Sequence, residues 1–190
     1  VNSDRFFMNV SKSILNKDVK EYKFAVRQAE DIKSILERVV AGLRGMKYRI
    51  FSKIAKNISL TNGTRPTISE LKKRGYVIAV ISDGLDVVAN RMKNLDIDFV
   101  FANRLDKFNG LLTGKLISFG KKEEIFEKLT KVLGINPNQC AVIGNDVNDL
   151  PLFSKAGLSV AYNPSSMQVV RNADYVIYDD DLRSILPIFK

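Results

Sequence analysis

The chain has no histidine and no tryptophan among its 190 residues, and it has a single cysteine, Cys140. Without histidine there is no Ser-His-Asp or Cys-His catalysis, no imidazole metal ligand and no imidazole acid–base chemistry. One cysteine excludes an internal disulfide and a multi-cysteine zinc site. Its place in the apolar run from Gln139 to Gly144 predicts a buried structural thiol. No apolar run approaches the ~20 residues that a membrane helix needs, and no signal-peptide pattern opens the sequence. The expectation from these absences is a cytoplasmic protein without a membrane partner. Chemistry is left to carboxylates, lysine, arginine, hydroxyls and an oxygen-ligated hard cation such as Mg²⁺.

What is present has the balance of a globular protein, with 45% hydrophobic and 27% charged residues. The length suits one domain, or one core with a modest insertion. Thirty Lys and Arg against 21 Asp and Glu give a formal net charge of +9. These basic residues are spread along the chain and fall on polar faces of predicted helices. The charge therefore reads as a solvated surface, with no specific nucleic-acid partner.

Periodicity divides the chain in two. Residues 17–57 read as helical, with Ile32, Ile35, Leu36, Val39 and Leu43 on one apolar stripe. Gly42 and Gly45 break that stripe before a second amphipathic stretch through Tyr48, Ile50, Phe51 and Ile54. Thr64 offers an N-cap for a helix that ends at Gly75. From there the rhythm becomes strand–helix alternation. Apolar strands are predicted at 76–81, 99–102, 140–144, 158–161 and 174–177, and helices at 85–94, 121–132, 147–156 and 181–187. Asn109-Gly110 centres a predicted hairpin over 104–117. The fold class that follows is α/β, a doubly wound parallel sheet.

In such a sheet ligands bind beyond the carboxyl ends of the strands. Three segments flank those ends and carry small, hydroxylic or charged residues: Ser82-Asp83-Gly84, Lys121-Lys122, and Gly144-Asn-Asp-Val-Asn-Asp149. Singly each has a plain structural reading: Ser82 as a helix cap, Lys122 as a surface lysine, Asp149 as a carboxylate near a helix start.

Together and in this order the three segments resemble motifs II, III and IV of the haloacid-dehalogenase superfamily. The likeness to its phosphoserine phosphatase branch extends through Glu70 to Ser82, Phe101-Ala-Asn-Arg-Leu105, Leu112-Thr-Gly114 and Gly144 to Leu150. The resemblance implies a Rossmann-like core over residues 1–9 and 61–190, with a small helical cap inserted at 10–60. It implies a Mg²⁺-dependent phosphomonoesterase that acts through an aspartyl-phosphate on a small phosphorylated molecule. Carried over by motif, Ser82 is the hydroxyl and Lys122 the lysine that hold phosphoryl oxygens, with Asp83, Gly84 and Asn148 lining the substrate. Asn145, Asp146 and Asp149 fall at the metal end. Arg38 aligns with the cap arginine that receives a substrate carboxylate, or is a surface residue of an amphipathic helix; the sequence leaves both open.

Other positions depart from the pattern. The motif I candidate at a plausible distance is Asn2-Ser3-Asp4, with Asn2 at the nucleophile and Asp4 at the acid/base position. The alternative is a chance Asn-x-Asp at a chain end, because no apolar strand precedes it. Motif IV has Asn145 where the family has aspartate, and motif II has Asp83 where it has glycine. An amide is neither a phosphate nucleophile nor a strong ligand for a hard cation. An unscreened carboxylate at Asp83 opposes phosphate by about 4 kcal/mol at about 4 Å in an effective dielectric near about 20. Two expectations stand side by side: a phosphatase with impaired catalysis, and a non-catalytic relative that binds a phosphorylated ligand or a partner protein.

Overall fold

The computed structural model describes residues 32–55 and 59–190. The described chain divides into two compact units, one built on Ile78–Phe119 with the residues up to Leu60, the other on Thr61–Val77 and Gly120–Lys190.

In the first unit, α1 (Ile32–Ala41) and α2 (Tyr48–Ala55) lie on either side of the predicted glycine break. Leu36, Val40, Leu43, Phe51 and Ala55 are each at most 1% exposed. They form one core with Leu85, Val87, Val88, Leu105 and Leu112, so the helical segment is held by burial against strands as well as by propensity. Strand β1 (Ala79–Leu85) pairs in parallel with β2 (Phe99–Phe108), which pairs antiparallel with β3 (Leu111–Ile117). The turn between β2 and β3 is Asn109-Gly110 with φ of 49° and 77°, the two positive angles that a tight hairpin turn demands and that Asn-Gly supplies at little cost. Gly114 sits under the end of α1. A Cβ there would lie 3.0 Å from the Arg44 Cβ and 3.2 Å from the Ala41 carbonyl, at a φ of +81°. Glycine is required for that close crossing.

In the second unit, α3 (Thr64–Lys73) is followed by Gly75 at φ 84°, as the C-terminal glycine predicts. Its N-cap is Gly63 rather than Thr64, because the Thr64 hydroxyl donates back to the Thr61 carbonyl at 2.6 Å. The strand predicted from Tyr76 begins three residues later, since the Tyr76 ring packs edge-on against Phe189 and its hydroxyl donates to the Lys190 carbonyl. Strands β4 (Ala141–Gly144), β5 (Leu158–Tyr162) and β6 (Tyr175–Ile177) form a parallel sheet. Around it run α5 (Lys122–Leu133), α6 (Leu150–Phe153) and α7 (Met167–Arg171), with Phe153, Ala161 and Val169 in the core.

The class is α/β with parallel pairing, as expected. Among the described residues the strands are bonded as two three-stranded sheets, β1–β2–β3 and β4–β5–β6. Among the described residues β1 has only β2 as a strand partner and β4 only β5. The helix predicted over 85–94 is one turn, α4 (Asp86–Ala89), continued as a 3₁₀ stretch Asn90–Leu95. No described helix is long and apolar enough to cross a membrane.

Candidate functional site

Two loops carry the candidate residues, one in each unit. In the first, the β1–β2 ladder is regular up to Ser82↔Ala102 and then jumps to Leu85↔Asn103. Asp83 and Gly84 are thus extruded from the ladder and make a turn at the carboxyl end of β1. The Gly84 N–H donates to the Ser82 hydroxyl oxygen at 3.1 Å, which leaves the hydroxyl proton available to an acceptor. Ser82, Asp83 and Gly84 are all half-buried.

In the second unit Lys122 opens α5, a 12-residue helix with Glu123 and Glu124 in its first turn. A lysine at the positive end of a helix dipole needs a counter-charge. Asp149 supplies it, with Lys122 Nζ donating to Asp149 Oδ1 at 2.7 Å and the two side chains only 12% and 13% exposed. The other oxygen of Asp149 accepts the backbone N–H groups of Asn145 at 2.9 Å and Asp146 at 3.1 Å. The carboxylate therefore closes the loop and positions the lysine. Gly144 makes room for it: a Cβ there would meet Asp149 Oδ2 at 2.6 Å. A half-buried lysine beside the N–H groups of a helix start is chemistry suited to an anionic oxygen.

The metal positions fare differently. Both oxygens of Asp149 accept hydrogen bonds as just described, and Asp146 Oδ1 accepts from the Val147 N–H at 2.7 Å and the Ser165 hydroxyl at 3.1 Å. Asn145 is exposed and offers an amide. Among the described residues no group of three or more acidic, His or Cys side chains is arranged to hold a metal ion. Mg²⁺ favours charged oxygens in near-octahedral order, and at this end the described residues offer the carboxylates of Asp146 and Asp149 beside the Asn145 amide.

Arg38 is exposed in the last turn of α1. Asn148 is half-buried on the 3₁₀ turn Val147–Asp149. Asn2 and Asp4 lie outside the described residues. Cys140 is half-buried rather than fully so, and burial raises its thiol pKa above the ordinary value, which keeps it protonated and unreactive.

Sequence reasoning assigned no role to Asn103, which is 5% exposed. Its signal was a lone amide inside the apolar strand Phe99-Val-Phe-Ala-Asn103. A side chain buried there must hydrogen-bond to something.

The chain matches the haloacid dehalogenase-like hydrolase family model over residues 12–157. It is 39% identical over 160 residues to the phosphoserine phosphatase of Methanocaldococcus jannaschii, covering 82% of this chain and 75% of that one. To the phosphoserine phosphatase of Wolinella succinogenes it is 34% identical over 170 residues, covering 86% and 82%. Among solved structures it is similar to a phosphoserine phosphatase captured as a phospho-aspartyl intermediate analogue and to one with substrate bound. Each has a TM-score of 0.85 and 33% identity, covering 97% of this chain and 91% of the other.

Proposed function

This chain belongs to the haloacid dehalogenase-like hydrolase family and is phosphoserine phosphatase-like, and from that premise we propose that it binds a small phosphorylated acid and turns it over slowly. Ser82 and Lys122 are the groups assigned to phosphoryl oxygens, and residues 10–60 the cap. Arg38 is assigned to the ligand's carboxylate. The cytoplasm is its place of action.

The observation that carries the reading is the Lys122–Asp149 pair at the start of α5. The carboxylate orients the ammonium group, a cation with three N–H donors of the kind that binds anionic oxygens. The Ser82 hydroxyl donates from its own turn, where the Gly84 N–H fixes the oxygen. Both are neutral or positive donors, so they stabilise negative charge that builds on phosphoryl oxygens.

Slow turnover follows from the metal end. Phosphatases of this family typically use Mg²⁺. Asn145 brings a dipole where a charge is wanted, and the carboxylates of Asp146 and Asp149 already accept from the loop's own groups. Mg²⁺ affinity is weak on this reading, and Asn145→Asp raises it. If Asn2 stands at the nucleophile position the loss is larger, on the order of 10⁶ in rate for a covalent mechanism.

The test is hydrolysis of phosphoserine and an aryl phosphate with and without Mg²⁺, beside a ³¹P NMR titration with inorganic phosphate. Phosphate binding with turnover near background is the expected result. Brisk Mg²⁺-dependent hydrolysis by the unaltered chain overturns the slow-turnover reading, and no binding of phosphate or substrate overturns the phosphate site itself.

A further inference from the structure

The break in the β1–β2 ladder creates a problem that the Asn103 side chain solves. Between Ser82↔Ala102 and Leu85↔Asn103 the first strand advances three residues while the second advances one. The Asp83 carbonyl is thereby taken out of the ladder, and a buried backbone carbonyl without a donor costs about 1–3 kcal/mol. Asn103 Nδ2 donates to that carbonyl at 2.7 Å. Its Oδ1 accepts the N–H of Phe119 at 3.2 Å. The orientation of the amide is unambiguous, since a carbonyl can only accept and an N–H can only donate.

One planar group thus ties two stretches of backbone together. The first is the Ser82–Gly84 turn. The second is Phe119, the residue before Gly120, which has a φ of +104°; Lys122 follows three positions after Phe119. A carboxamide is the side-chain group that offers a strong donor and a strong acceptor in one fixed plane. Aspartate matches its shape but cannot donate to Asp83, and leucine matches its size with neither function.

We propose that Asn103 is a positioning residue for the phosphate site: its carboxamide fixes the turn that presents the Ser82 hydroxyl. The inference rests on the reading of Ser82 as a phosphoryl-binding group. Asn103 touches no ligand itself. It acts through Ser82, and this separates it from a residue that merely stabilises the fold.

The test is a double-mutant cycle on phosphate affinity, read by ³¹P NMR titration with inorganic phosphate. Asn103→Asp is expected to weaken phosphate binding about tenfold, the scale of one well-placed hydrogen bond. In a Ser82→Ala background the same change is expected to have little further effect. Asn103→Gln serves as the second variant should Asn103→Asp fold poorly, with circular dichroism melting to check each. Unchanged affinity in Asn103→Asp overturns the inference. So does a loss that is fully additive with Ser82→Ala, since that marks a general structural role. If the parent chain binds no phosphate, the reading of Ser82 fails first, and the inference goes with it.

Discussion

The two loops that carry the candidate residues are built by opposite means. The Ser82–Gly84 turn is held by neutral groups, a hydroxyl that accepts from Gly84 and a carboxamide that donates to Asp83. The Gly144–Asp149 loop is held by a carboxylate that accepts from two backbone N–H groups and pairs with Lys122. Neutral hydrogen bonds are individually modest and independent of pH, whereas a half-buried charge pair is strong only while both partners are present. The first loop therefore tolerates loss of one contact at the expense of geometry. The second tolerates little, because each loss strands a charge.

The largest effect expected from this contrast is at Lys122. Lys122→Met leaves Asp149, which is 9% exposed overall, with one oxygen unpaired. The expected cost is about 3 kcal/mol in denaturant unfolding, at the low end for a broken buried pair because two backbone donors remain. Lys122→Met combined with Asp149→Asn recovers part of that loss by removing the stranded charge. A near-neutral Lys122→Met would break the comparison, and would make Asp149 a self-sufficient loop closure with the lysine as an accessory.

How much of this was legible in the sequence depends on the range over which each residue acts. The Asn109-Gly110 hairpin and the break at Gly42 and Gly45 obey local rules, and they stand where those rules put them. The helices at 86–89 and 167–171 are four and five residues long, too short for an apolar period to show. The role of Asp149 was hidden for a different reason. Metal ligand, lysine partner and loop cap all call for the same carboxylate, and only distances choose among them. Asn103 was visible as an amide in an apolar strand. Its partners, 20 residues upstream and 16 downstream, were not.

The second contrast concerns glycine, with a smaller expected effect. A Cβ on Gly144 would stand 2.6 Å from Asp149 Oδ2 and 2.7 Å from its Cγ, against a group that the loop and Lys122 hold in place. Gly144→Ala is expected to cost about 2 kcal/mol of stability, as overpacking of a fixed site does. A Cβ on Gly84 would meet only the Ser82 hydroxyl, at 3.1 Å, and a hydroxyl can turn. Gly84→Ala is expected to cost less than about 1 kcal/mol while weakening phosphate binding, because the group that turns is the one assigned to the ligand. Thermal melting and phosphate titration of the two variants side by side check this. Equal melting losses would mean that the neutral turn is as rigid as the charged one.

The smallest expected effect extends the contrast to pH. Asp174, just before β6, accepts the Ser159 N–H at 2.8 Å and the Ser159 hydroxyl at 2.7 Å, and Ser159 is 3% exposed. These bonds, the hydroxyl first, hold the Asp174 carboxyl below its ordinary value of 3.8. A carboxyl depressed in the folded state stabilises the fold above its unfolded pKa, and that contribution fades as pH falls through the folded value. Asp174→Ala is therefore expected to cost about 1 kcal/mol near neutral pH, the net worth of a hydrogen bond to a charged acceptor at an exposed carboxylate. The gap between parent and variant closes progressively below pH 3.8. Asn103→Leu supplies the opposite case. It removes bonds to the backbone groups of Asp83 and Phe119, which do not titrate, so its gap to the parent stays constant over the same acid range. Denaturant unfolding of the two variants and the parent at several acid pH values separates the cases. A gap for Asp174→Ala that persists undiminished well below pH 3.8 would mean that the side chain contributes by packing, and that charge plays no part in joining β5 to β6.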